Sequence, residues 1–112
     1  MDDSILLTIK KMLGIAEDDT AFDTDVIVCI NSAIMTANQI GIGTDGFIVT
    51  DSNETWGEFI GNDSRLEAVK LYIYLGVRLA FDPPSNSFVV SSFEKQRDEL
   101  TWRLNVHAEA VN

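Results

Sequence analysis

Hydrophobic positions along the chain recur every three or four residues through most of its length, and their interruptions divide it into four candidate helices. Ile5, Leu6, Ile9, Met12 and Leu13 share one helical face. Ser4 stands where an N-cap belongs and Gly14 where a left-handed stop belongs, so the pattern predicts a first helix over Ser4 to Leu13. The polar stretch IAEDDTAFDTD reads as a turn, with Asp23 or Thr24 placed to cap a second helix that runs to about Ile40. Val26, Ile30, Ala33, Ile34 and Ala37 form its apolar face, and Gly41 is its stop. The β-branched run Val26 to Val28 also suits a strand, but the segment is too long for one.

From Gly41 to Gly61 the helical period disappears into a stretch rich in Gly, Asp, Asn and Thr. One short β-type run, Phe47 to Thr50, predicts a strand there, half of a small hairpin or an extended loop. Thr55 followed by Glu58 has capping-box spacing and makes Trp56 to Ile60 a candidate helical turn; Ser64 with Glu67 predicts the opening of the third long helix. That helix carries Leu66, Val69, Ile73, Val77 and Ala80 on its main stripe. Leu71, Tyr72, Tyr74, Leu75 and Leu79 extend the apolar surface to other faces, the pattern of a helix at the centre of a domain. Asp82, Pro83 and Pro84 form a corner, because proline lacks the donor and turns the preceding residue away from helix. A last helix restarts near Ser87, with Phe88 or Val89, Phe93, Gln96, Leu100, Arg103 or Leu104, and His107 recurring at helical spacing. From Phe88 to Ala110 it measures about 34 Å at 1.5 Å per residue. The expected fold is mainly α: a small four-helix domain with a short β-hairpin or extended loop between helices 2 and 3 and a long C-terminal helix. Its first turns, Phe88 to Leu100, are expected in the core, and Trp102 to Ala110 are expected to reach a partner.

A chain of 112 residues supports one domain, here residues 1–112. Its formal net charge of −10 opposes binding to nucleic acid phosphates, which excludes sequence-specific DNA or RNA recognition as the expected role. Cys29 lies within the apolar run VIVCI and reads as a small reduced core residue, since one thiol builds no internal disulfide framework. No segment approaches the roughly 20 apolar residues of a membrane span. The opening MDDSILLTIKKMLG places acids before lysines, the reverse of a secretory signal. An intracellular soluble protein is the expectation, with no glycosylation at Asn53 or Asn62.

Candidate chemistry is sparse. GIGTDG, Gly41 to Gly46, has the spacing of a dinucleotide fingerprint, but the fingerprint requires a strand before it and a helix after it, and here the order is reversed. The acids Glu17, Asp18, Asp19, Asp23 and Asp25, and the group Asp45, Asp51 and Glu54, lack the spacing of a calcium loop. A single His107 and a single Cys29 supply neither a zinc cluster nor an activated nucleophile. The residues therefore predict no cofactor, no metal and no enzyme. Trp102, Arg103, Asn105 and Val106 lie on or beside the end of the last helix. Trp and Arg are common binding anchors, so these residues either contact a partner or, in the case of Trp102, cover the third helix.

The stretch LEAVKLYIYLGVRLAFDPPSNSFVVSSFEKQRDELTWRLNVHAE resembles the C-terminal half of the head-tail connector (adaptor or head-completion) proteins of long-tailed bacteriophages and prophages. Leu79-Ala80-Phe81-Asp82-Pro83-Pro84 and Glu99-Leu100-Thr101-Trp102-Arg103-Leu104-Asn105 carry most of that likeness. The resemblance implies a structural protein of the virion head-tail interface, present in the host cytoplasm during assembly. Its copies would form a ring, commonly twelve-fold, on the portal protein, extending a channel through which double-stranded DNA passes. A tail-side connector or stopper protein would dock on the ring, and no membrane is involved. The same resemblance makes Trp102, Arg103, Asn105 and Val106 portal contacts and Thr44, Asp45, Asp51 and Trp56 inter-subunit or channel-loop residues. An acidic wall suits a DNA conduit because it does not trap moving phosphates. The competing expectations are a helical regulatory module that holds a host peptide or helix beside the last helix, and an enzyme using loop carboxylates.

Overall fold

The computed structural model describes the backbone of residues 3–111 and the side chains of residues 3–105. Five helices follow one another: α1 (Ile5–Leu13), α2 (Asp23–Gln39), α3 (Trp56–Ile60), α4 (Leu66–Phe81) and α5 (Ser87–Val111). The fold is mainly α, as expected, and the fifth element is the short turn of helix that the Thr55 to Glu58 spacing suggested. Thr55 accepts from the Glu58 N–H, and the Glu58 carboxylate accepts from the Thr55 N–H, so both halves of the capping box form.

α4 is the centre. It buries Val69, Tyr72, Ile73, Leu75 and Val77, and α1, α2 and α5 all pack on it. Its closest neighbour is α2, where Gly76 leaves room for Ala33: a Cβ at Gly76 would stand 3.3 Å from the Ala33 methyl. The α4 helix ends at Phe81, where Asp82 donates its N–H to the Arg78 carbonyl at 3.1 Å. Pro83 and Pro84 hold the next residues out of helix, and the Asn86 side chain accepts the N–H of Phe88 at 2.8 Å to start α5.

Three local expectations are corrected. Ser64 does not cap α4, which opens at Arg65 without a side-chain cap; Asp63 instead accepts from the Arg65 N–H and chelates its guanidinium. Neither Asp23 nor Thr24 caps α2: Phe22 occupies that position, and Asp23 lies inside the first turn. Phe47 to Thr50 is not a strand, and the described residues contain none, only an isolated antiparallel bridge between Ser4 and Thr55. The loop finds its partners in side chains. Asn31 donates to the Val49 carbonyl at 2.9 Å and accepts from the Val49 N–H at 2.8 Å, mimicking one rung of a sheet. One flank further along α2, Asn38 donates to the carbonyls of Ile42 and Thr44. Two asparagines seven residues apart thus do the work of a neighbouring strand.

The first helix also differs from its predicted face. Met12 is partly exposed, and the interior place goes to Lys10, which is 1% exposed. Its ammonium donates to the carbonyls of Glu17 at 3.1 Å and Asp19 at 2.7 Å, and lies 2.9 Å from Asp23 Oδ1 in an ion pair that is out of line for a hydrogen bond. One buried cation therefore holds the α1–α2 loop against the first turn of α2. Replacing it leaves the Asp23 carboxylate and two carbonyls without their partner. Asp23 keeps some contact with water, so Lys10→Met is expected to cost about 3 kcal/mol, the low end for a broken buried pair. The measurement is the urea midpoint against the wild type; no shift would show that the ammonium is dispensable.

The last helix does not divide as its sequence suggested. Phe88 is 86% exposed although expected in the core, whereas Leu104, on the far side of the expected division, is 3% exposed and belongs to the core. The helix runs about 37 Å at 1.5 Å per residue, against a longest molecular dimension of 41 Å. Its inward face is seated on the core as far as Leu104, past the expected division at Leu100. Leu104→Ala is expected to lower stability by about 2–4 kcal/mol through lost burial and the cavity left behind, while Phe88→Ala changes it by less than about 0.5 kcal/mol. Chemical denaturation of both variants checks the contrast, and equal effects would contradict it.

Candidate assembly surfaces

The GIGTDG turn illustrates how the loop surface is built. Its middle glycine, Gly43, has φ +77°, and a Cβ there would fall 2.2 Å from the Phe59 ring. The turn is thus a helix stop laid directly on the aromatic floor of α3, not a phosphate cradle. Thr44 is tied to the same floor, its N–H donating to the Phe59 carbonyl at 2.7 Å and its hydroxyl to the same oxygen at 3.0 Å. Asp45 is exposed at the tip. Asp51 is exposed and accepts from the Asn53 N–H at 2.7 Å.

Trp56 requires a correction. It was expected on the exposed loop and is 2% exposed, with its indole N–H donating to Thr8 Oγ1 at 3.1 Å and Lys70 over its ring at 6.0 Å. A side chain in that position fastens α3 to α1 and is not available to a neighbour or a channel. The adjoining backbone adds to the fastening: Ile5 donates to the Glu54 carbonyl at 3.0 Å and Trp56 to the Asp3 carbonyl at 3.1 Å.

Glu54 organises the loop between these two anchors. The Thr50 hydroxyl donates to its carboxylate at 2.6 Å, and the Asp51 and Thr50 N–H groups donate at 3.1 and 3.0 Å. These donors, the Thr50 hydroxyl foremost, outweigh partial desolvation and hold its pKa at about 2. The folded value lies below the unfolded one, so the unfolded chain takes up the proton first as the pH falls. The stabilisation is complete above the unfolded pKa of about 4.3 and is lost as the pH drops toward about 2. Between pH 5 and 2 the wild type should lose stability more steeply than Glu54→Gln. Parallel acid denaturation curves for the two would contradict the assignment.

On α5 the inward positions are Val90, Phe93, Arg97, Leu100, Thr101 and Leu104, all half-buried or buried. Phe88, Lys95 and Trp102 fall on the opposite side at helical spacing and are exposed, Trp102 by 69%. Arg103 is exposed beside Trp102, 3.8 Å from Glu99, and Asn105 is half-buried. The side chain of Val106 lies outside the described residues. Of the four expected partner contacts, Trp102 and Arg103 therefore share an open surface, and Asn105 turns partly inward. Cys29 is half-buried beside a groove of about 390 Å³ between α2, α4 and α5. Burial, reinforced by Asp25, raises its thiol pKa and keeps it protonated.

Charge is divided unevenly in a way that periodicity does not reveal. Between Met12 and Ser64 there are ten acids and no Lys, Arg or His, whereas the rest of the chain carries eight acids and eight Lys or Arg. The whole net charge therefore resides on the α1–α2 loop, α2, the long loop and α3. A count of charge by segment finds this at once; a total does not.

These features define a small all-α domain that leaves Phe88 and Trp102 exposed on the outer side of α5. Among the described residues, no group of three or more His, Cys, Asp or Glu is placed to hold a metal ion, and no helix is long and apolar enough to cross a membrane. Comparison with known families takes the assignment further: the family model for phage connector proteins matches residues 5–111. The chain belongs to that phage connector family. No curated protein and no solved structure matches it.

Proposed function

We propose that this chain is a structural head-tail connector that assembles as a ring on the portal, extends the DNA channel and offers a platform to tail-side proteins. Membership of the phage connector family over residues 5–111 carries this reading. The exposed Trp102, 69% in water with Arg103 beside it, supports a partner contact, because Trp and Arg are the residue types most enriched among binding anchors. In this reading Trp102 and Arg103, with Asn105 and Val106, meet the portal. Asp45 and Asp51 stand at the subunit boundary or the channel, and Thr44 holds their loop in place. The concentration of acid in residues 12–64 supplies the like-charged surface that lets DNA phosphates pass without being bound. The place of action is the virion head-tail interface, after assembly in the host cytoplasm.

The test is electron microscopy of the purified chain mixed with portal rings. Wild type should add density to the portal. Trp102→Ala should remove that density while changing the monomer's unfolding free energy by less than about 0.5 kcal/mol, as for other exposed substitutions. Portal-bound density that is unaltered by the substitution would remove Trp102 from the interface. No bound density for wild type under any condition would count against the connector reading itself.

A further inference from the structure

Two features at the α4–α5 end of the molecule have no use within the subunit. The first is Phe88, on the first turn of α5, which is 86% exposed. The second is a notch of about 430 Å³ between the end of α1, the α1–α2 loop and the end of α4. Its walls are Leu13, Ile15, Phe22 and Phe81, with Asp25 and Asp82 at the rim. Phe22 and Phe81 meet edge to face, with ring centroids 5.8 Å apart, and Phe22 is still 46% exposed. An apolar cavity of about 150 Å³ is enough to take up benzene, so this notch has room for a phenyl ring.

We propose that Phe88 of one copy inserts into the Leu13, Ile15, Phe22 and Phe81 notch of a second copy of this chain. The charges select that occupant. Lys95 lies two turns after Phe88 on the same side of α5, about 10 Å further along at 1.5 Å per residue, and makes no ion pair among the described residues. The notch borders the wholly acidic segment: Asp25 and Asp82 are among its lining residues, Asp82 facing Arg78 at 3.9 Å, which leaves Asp25 open, and Asp18 and Asp19 lie in the same α1–α2 loop. Seating the phenyl ring brings the unpaired ammonium toward those carboxylates. The aromatic supplies the buried area and the lysine supplies register. A knob and a hole at different places on one surface make a heterologous contact, which propagates from copy to copy and closes into a ring if the rotation allows. This inference rests on the connector reading only for the ring; the contact itself rests on the residues.

Two single-cysteine variants in a Cys29→Ser background test it, one carrying Ser91→Cys, one turn after Phe88, and the other Ala21→Cys, next to Phe22, both positions being exposed so that the two aromatic rings stay in place. They are mixed and oxidised with copper phenanthroline, then analysed by mass spectrometry. The expected product is an intermolecular disulfide joining positions 91 and 21, well above that formed when Ile48→Cys, exposed elsewhere, replaces Ala21→Cys. Equal yields from the two mixtures overturn the proposal. In the full chain without cysteine changes, Phe88→Ala should weaken self-association by about tenfold or more, the effect of losing one anchoring aromatic. Lys95→Glu should also weaken it, and adding Asp25→Lys should restore it. Rings that form as in wild type with Phe88→Ala overturn the contact and leave the connector reading intact. A disulfide between positions 91 and 21, with wild-type assemblies that stop at two copies by native mass, keeps the contact and removes the ring.

Discussion

A helix that is apolar on several sides has to be covered on several sides, and in a chain of 112 residues that requirement governs everything else. α4 supplies Val69, Tyr72, Ile73, Leu75 and Val77 to the interior, and α1, α2 and α5 are arranged around it. Gly76 lets α2 approach closely on one side, and Leu104 closes the other from far along α5. Covering α4 also explains why the last helix runs at least to Leu104: starting from the proline corner, it reaches that part of the core only after about five turns.

Wrapping one helix with three others leaves long connections on the surface without a sheet to join. Their backbone groups still need partners. The chain meets this need with single side chains that reach across: Lys10 gathers two carbonyls of the α1–α2 loop, Asn31 pairs with both backbone groups of Val49, and Asn38 holds the Gly41 to Gly46 turn. Glu54 and Trp56 then tie the far end of the long loop back to α1. The loop is consequently an organised surface, able to present Asp45 and Asp51 in defined places.

Much of the candidate surface was legible before folding was considered, but not its boundaries. Trp102 and Arg103 stood out as candidate contacts because of residue type and their place toward the end of the last helix, and the fold leaves both exposed. Trp56 looked equally suitable and is buried, since an isolated Trp in a Gly-rich loop carries no period that says which way it faces. Phe88 was assigned to the core because it fits a helical stripe when counted from Phe93, although Val89 and Val90 fit as well. The uneven charge distribution was present in the sequence and was obscured by taking one total over the chain.

The sequence by itself determined the helices, the left-handed stop at Gly14, the Thr55 capping box and the Asp82 to Pro84 corner. Each depends largely on side-chain period, dihedral preferences and hydrogen bonds within a few residues, although the equally local Ser64 and Glu67 spacing forms no capping box. Tertiary structure alone decided that Lys10 is inside and Phe88 outside, that Asn31 replaces a strand, and that Leu104 is core. Those outcomes depend on what stands opposite a side chain, and residues distant along the chain supply it.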